Sequence, residues 1–180
     1  MKDNFTPSLG FVLRPECVYA PGHDNDLNFV VCEDVPGDTG GLTKFGIDAA
    51  SDPGVDIRDL TLDQATALYR DGEWTACRCD DLPRGLDTAT FDCAVNNGVI
   101  VAGILLQRAI LACNRGVVID GEIGPQTVRA AIAANGPELM ARLLQLRRQR
   151  YTDIVLQHPA DAKFLKGWLA RVDDLERFLF

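Results

Sequence analysis

The residues best suited to chemistry lie in two short stretches near the start of the chain. The first, Arg14-Pro15-Glu16-Cys17-Val18-Tyr19, sets a carboxyl group directly after an apolar, helix-patterned run. Partial desolvation at such a position raises a carboxyl pKa and suits the group to donate a proton near neutral pH. The second stretch is Asp38-Thr39-Gly40-Gly41-Leu42-Thr43-Lys44-Phe45-Gly46-Ile47-Asp48. A polar group there, reached across a hairpin, can orient a water on the far side of a substrate, the arrangement used to cleave glycosidic bonds. Gly40-Gly41 and Gly46 leave room for close backbone approach. Each feature also has a plain reading: a lone glutamate after a helix is most often solvated, and Asp38 can simply cap a turn.

Several elements must hold these residues. Phe5, Leu9, Val12 and Leu13 share one face of a helix over 4–14, capped by Asn4 or Thr6, with Pro7 early enough to be tolerated. Pro15 disfavours helix at Arg14, so the helix stops there and presents Glu16 just past its end. From Cys17 to Gly54, turn residues punctuate short runs such as Leu27-Asn28-Phe29-Val30-Val31, predicting a small irregular β lobe. Thr61 and Gln64 form a capping-box pattern for a helix running toward Trp74. Further helices are expected at about 84–95, 98–114, 125–135, 137–157 and 161–179. Val99 to Ala112 is apolar nearly all round, the mark of a buried central helix. In the 137–157 helix, Leu139, Leu143, Leu146 and Ile154 form a core stripe, with Arg147, Arg148 and Arg150 on more polar faces. The natural boundary falls near 114–119, where Asn114-Arg115-Gly116 interrupts the helices.

Composition narrows the classes. The 180 residues are 47% hydrophobic and 24% charged, which excludes a disordered or collagen-like chain. A formal charge of −8 argues against a nonspecific grip on nucleic acid and against a polybasic membrane anchor. The imbalance is local: residues 1–83 carry 6 basic and 16 acidic side chains, residues 84–180 carry 12 and 10. The longest apolar stretch is broken by Gln107 and Arg108, so no membrane insertion is expected. Met1-Lys2-Asp3-Asn4-Phe5 has no apolar secretory core, which predicts synthesis and retention in the cytoplasm until something releases the protein. The six cysteines lack zinc-site spacing. Cys93 and Cys113 read as small buried hydrophobes, and Cys17 and Cys32 flank a loop and could pair. Asp24-Asn25-Asp26-Leu27-Asn28 fails as a calcium loop, because Phe29 and Val35 stand where Gly and Glu are needed, so no metal or cofactor is expected.

Taken together and in order, these stretches resemble the glycoside hydrolase family 108 lysozymes of bacteriophages and prophages. The family's Glu-Gly-Gly-Tyr and Asp-Pro-Gly-Gly-x-Thr-x-x-Gly-Ile patterns are matched by Glu16-Cys17-Val18-Tyr19 and by Asp38 to Ile47. Phe91-Asp92-Cys93-Ala94-Val95-Asn96-Asn97-Gly98 is similar to its Asp-x-x-x-Asn-x-Gly element. Asp120-Gly121-Glu122-Ile123-Gly124-Pro125-Gln126-Thr127 is similar to its Asp-Gly-x-Ile-Gly-Pro-x-Thr element, and Gly167-Trp168-Leu169-Ala170-Arg171 to its closing motif. The likeness spans about residues 5–172. Two departures stand out: Cys17 and Val18 replace the glycines after the glutamate, and the loop to Asp38 is longer than usual.

The resemblance implies an α+β, mostly α, lysozyme-like fold with a small N-terminal β lobe. It implies a catalytic region over 1–114, with the lobe at about 17–54, and a helical peptidoglycan-binding region over 115–180. It further implies an endolysin that hydrolyses the β-1,4 bond between N-acetylmuramic acid and N-acetylglucosamine. Glu16 is then the general acid, Asp38 and Thr43 place the attacking water, and Tyr19 and Asn97 line the cleft. Trp74 and Trp168 could stack on sugars, but at helix ends among apolar neighbours they are expected in the core. The implied partners are peptidoglycan glycan strands and a holin-like permeabiliser, with no nucleic acid. The implied protein is a monomer, made in the host cytoplasm and acting on the wall in the periplasm. The alternatives are a non-catalytic wall-binding or structural phage protein and a lytic transglycosylase.

Overall fold

The computed structural model describes residues 4–34, 41–50 and 54–180. They form an α+β, mostly helical protein in two compact units. The front unit is Phe5–Gly72, and the rear unit is Glu73–Phe180 together with Asn4. The interruption at Asn114-Arg115-Gly116 lies inside the rear unit.

The front unit opens with α1 (Phe5–Leu13), which buries Phe5, Ser8, Leu9, Val12 and Leu13. Helical winding does not end at Arg14: a 3-10 turn, Arg14–Glu16, follows with Pro15 inside it, and Cys17 is already extended. Proline suits an early helical position because its missing N–H needs no partner there. The chain then leaves and returns. Ala20 N donates to Phe29 O at 2.9 Å, Val31 N donates to Val18 O at 2.9 Å, and Tyr19 bridges Val30 in antiparallel fashion. The Leu27-Asn28-Phe29 run, read from sequence as part of a β segment, is instead a 3-10 turn. The Asp26 carboxylate overrides β propensity by accepting from Asn28 N at 3.0 Å and from Asn28 Nδ2 at 2.8 Å.

Three short strands follow: β1 (Glu33–Asp34), β2 (Leu42–Lys44) and β3 (Ile47–Asp48), antiparallel in that spatial order. Thr43 sits mid-sheet, opposite Glu33 on one side and Asp48 on the other. The β2–β3 turn is Phe45-Gly46, both with positive φ (55° and 74°), the backbone of a tight two-residue hairpin. Phe45 carries that strain because it is buried and its carbonyl accepts from the Tyr69 hydroxyl at 2.9 Å. The hairpin is thereby fastened to α2 (Leu62–Tyr69), whose N-terminus shows the expected capping box of Thr61 and Gln64. The α-helix ends at Tyr69 rather than near Trp74. A wider turn, Arg70–Trp74, takes over, and Gly72 leaves helical geometry within it.

The rear unit is a bundle of α3 (Leu86–Asn97), α4 (Val99–Ala112), α5 (Pro125–Ala134), α6 (Pro137–Gln157) and α7 (Ala162–Leu179). Gly-Pro pairs start α5 and α6 as expected, with proline at the first helical position. The central helix α4 packs against α3, α5 and α6. Trp74 is 1% exposed, with its ring edge-on to Phe91 and its indole N–H donating to Asp80 at 3.0 Å. No helix among the described residues is long and apolar enough to cross a membrane.

Three sequence expectations need correction here. Arg147 does not lie on a polar face but is 1% exposed, while Leu146 and Ile154 are only half-buried. Cys113 is half-buried, unlike the fully buried Cys93, because it caps the C-terminal end of α4. Trp168 is half-buried: one face stacks on Tyr151 at 5.3 Å, and Phe164 tilts against it at 5.8 Å. Among the described residues, which include all six cysteines, no disulfide forms, so Cys17 and Cys32 are not paired with each other.

Candidate active site

Glu16 is the last residue of the turn that follows α1, and the antiparallel exit of Val18–Ala20 begins two residues later. Tyr19 is half-buried, and its hydroxyl donates to Arg14 O at 2.9 Å, tying the exit strand back onto the turn that ends at Glu16. Burial, with Cys17 nearby as the next cause, raises the Tyr19 pKa above the usual phenol value. Thr43 lies on the hairpin that Tyr69 anchors, within the same front unit. Asp38 lies outside the described residues.

The front unit also holds an open depression of about 400 Å³ beside α2, lined by Asp56, Asp59 and Asp71 with Leu60 and Leu68. These carboxylates account for part of the acidic excess of the first 83 residues. Among the described residues, no group of three or more His, Cys, Asp or Glu is placed to hold a metal ion.

Asn97 belongs to the rear unit, at the C-terminus of α3. Its Nδ2 donates to the Tyr151 hydroxyl at 3.1 Å, and its Oδ1 accepts from Arg150 Nε at 3.1 Å. The Tyr151 hydroxyl in turn donates to Asn96 Oδ1 at 2.9 Å and accepts from Arg147 Nε at 3.2 Å. Asn97 is therefore already bound into a polar network joining α3 to α6.

Two other motif stretches are scaffold. Asp92, 0% exposed, is held by Arg147 and by Arg171, whose Nε donates to Asp92 Oδ1 at 2.9 Å. Burial disfavours the Arg147 charge, but Asp92, Cys93 and Tyr151 together more than offset it and leave the guanidinium pKa above its ordinary value. The Asp120–Thr127 loop is organised by Gln107, which is 0% exposed. Gln107 Oε1 accepts from Asp120 N at 3.1 Å and Gly121 N at 2.9 Å, while its Nε2 donates to Asp120 Oδ1 at 2.7 Å and Glu122 O at 2.9 Å. Sequence reasoning missed Gln107 and Arg147. The one available signal was a polar residue inside an otherwise apolar face, which marks a buried group that must find partners.

A mostly helical α+β scaffold with a strand lobe following a glutamate-terminated helix defines the class as lysozyme-like. Residues 31–98 match the family model of glycosyl hydrolase 108, and residues 101–173 match a predicted peptidoglycan domain. The chain is thus a glycoside hydrolase acting on peptidoglycan. The first match covers Thr43 and Asn97 and begins after Glu16 and Tyr19. Eleven chains of solved structures are similar, among them the structure of Brucella abortus SagA. That chain is 27% identical, with a TM-score of 0.75, over 99% of this chain and 95% of its own. A search of curated proteins gives no match.

Proposed function

We propose that this protein is an N-acetylmuramidase that hydrolyses the β-1,4 bond between N-acetylmuramic acid and N-acetylglucosamine. The observation that carries this reading is the placement, within one compact unit, of Glu16 at the end of a turn and Thr43 on an anchored hairpin. Glu16, as the carboxylic acid, gives its proton to the glycosidic oxygen as the C1–O bond breaks. Asp38 takes a proton from a water held by Thr43, and that water adds to C1 from the opposite face with inversion. Tyr19 keeps the Glu16 turn in place. The acid is then regenerated by proton exchange with solvent.

In this reading the enzyme is a phage-type endolysin, active as a monomer. It is made in the host cytoplasm and reaches the periplasmic wall after a holin-like partner opens the membrane.

The test is digestion of purified cell walls, with mass analysis of the released muropeptides. Hydrolysis yields reducing N-acetylmuramic acid ends, and Glu16→Gln abolishes their release while the circular dichroism spectrum is unchanged. A 1,6-anhydro product would identify a lytic transglycosylase instead, and substantial activity in Glu16→Gln would remove the acid. Asp38→Asn is expected to cost more than about tenfold in kcat, as loss of a general base does.

A further inference from the structure

Within the segment that matches the predicted peptidoglycan domain lies a groove of about 270 Å³ between α4 and α6. Val101, Ile104, Leu105 and Arg108 line one side of it, following the helical repeat of a single α4 face. Across it, α6 supplies Leu146, Gln149, Arg150, Asp153, Ile154 and Gln157, again one continuous face. The floor is aliphatic and the rim is polar.

The charges on that rim are unbalanced. Gln149 Nε2 donates to Asp153 Oδ1 at 2.8 Å, so the single carboxylate of the groove is already engaged along its own helix. Arg108 is exposed and makes no ion pair or hydrogen bond among the described residues. Arg150 is held at Nε by Asn97, which fixes the plane of the guanidinium, and its two terminal nitrogens have no partner among the described residues. A guanidinium fixed at Nε presents a preset fork for a carboxylate. Two available guanidiniums in a protein of formal charge −8 select strongly for an anionic ligand.

Sugar rings bind on aromatic faces, and no aromatic residue lines this groove. The lining suits small aliphatic side chains interleaved with carboxylates, the composition of the short peptide stems that peptidoglycan carries on its muramic acid residues. The volume is below the ~300–1,000 Å³ of a site that encloses a whole drug-sized ligand, which fits two or three residues of a polymer lying across it.

We infer that the α4–α6 groove binds the acidic stem peptide of peptidoglycan, with Arg108 and Arg150 taking its carboxylates and the aliphatic floor taking its alanine methyls. This rests on reading residues 101–173 as the wall-binding segment, and it gives that segment a ligand distinct from the glycan bond that is cut.

The test is a titration of the full-length Glu16→Gln protein with synthetic L-alanyl-γ-D-glutamyl-meso-diaminopimelate, followed by amide chemical shifts. Saturable shifts confined to the α4 and α6 residues of the groove are expected, weakening as salt is added. Arg108→Glu, an exposed substitution, should weaken binding more than tenfold. Gln157→Glu, also exposed, should weaken it severalfold by adding a second carboxylate. Absence of saturable binding, or equal affinity in both variants, would overturn the assignment. So would binding of peptide-free glycan strands that Arg108→Glu abolishes. The titration needs no bond cleavage, so a failure of the muramidase reading shows in muropeptide release and leaves this result legible.

Discussion

Asp92 on α3 and Arg171 on α7, 79 residues apart, meet in the core of the rear unit with Asp92 wholly buried and Arg171 9% exposed. Arg147 from α6 completes the cluster, so one carboxylate joins three helices. Desolvating these charges is costly, and the cluster stands only because each charge has an opposite neighbour. Asp92→Asn would leave two buried guanidiniums uncompensated. The expected loss is about 3–5 kcal/mol, read as a shift in the urea unfolding midpoint. A loss below about 1 kcal/mol would mean that water reaches the cluster and replaces the carboxylate.

The contact of Gly103 with Gly121 sets a second limit. A Cβ on Gly103 would fall 2.0 Å from Gly121 O, and Gly121 itself adopts φ +84° against Ile100. Gly103→Ala therefore pushes the Asp120–Thr127 loop off α4 and breaks the Gln107 bonds. A cost of about 3 kcal/mol or more is expected. Gly116→Ala, with nothing within 4 Å, is the control and should change stability little.

Tyr19 offers a test that separates positioning from sugar binding. Its hydroxyl donates to Arg14 O, so Tyr19→Phe loosens the turn that ends at Glu16. On soluble glycan oligomers, kcat should fall severalfold while KM stays within about twofold. A rise in KM at constant kcat would instead make Tyr19 a substrate contact.

The thiols divide by burial. Cys77, Cys79 and Cys93 are at most 1% exposed, while Cys17, Cys32 and Cys113 are half-buried. Burial pushes the Cys93 thiol up to about 11 and also raises Cys79 well above its ordinary value. Near neutral pH the native protein should take up three equivalents of iodoacetamide, counted by mass, and the rest only on unfolding. The Cys93 pKa is raised on folding, so its contribution to stability is fully present below pH about 9 and is lost as pH rises through about 11. Labelling of Cys93 as fast as Cys32 at neutral pH would contradict this.

Local chemistry was legible in the sequence. The Thr61–Gln64 capping box and the Gly-Pro starts of α5 and α6 depend on residues within a turn or two of one another, and each appears where expected. The order of the motifs was enough to point to the glycosyl hydrolase 108 model that residues 31–98 match. The sequence also singled out Asp92, Asp120, Gly121 and Arg171, but only as members of motifs. Their work became visible in tertiary structure, where Asp92 meets Arg147 and Arg171, and where Gln107 holds the Asp120 loop against Gly103. The same holds for Trp168, whose half-burial comes from Tyr151 on a different helix. A cap or a period is fixed by neighbours along the chain. The partner of a buried charge, the approach of two glycine backbones and the opening of a groove between α4 and α6 are fixed by which surfaces the fold brings together.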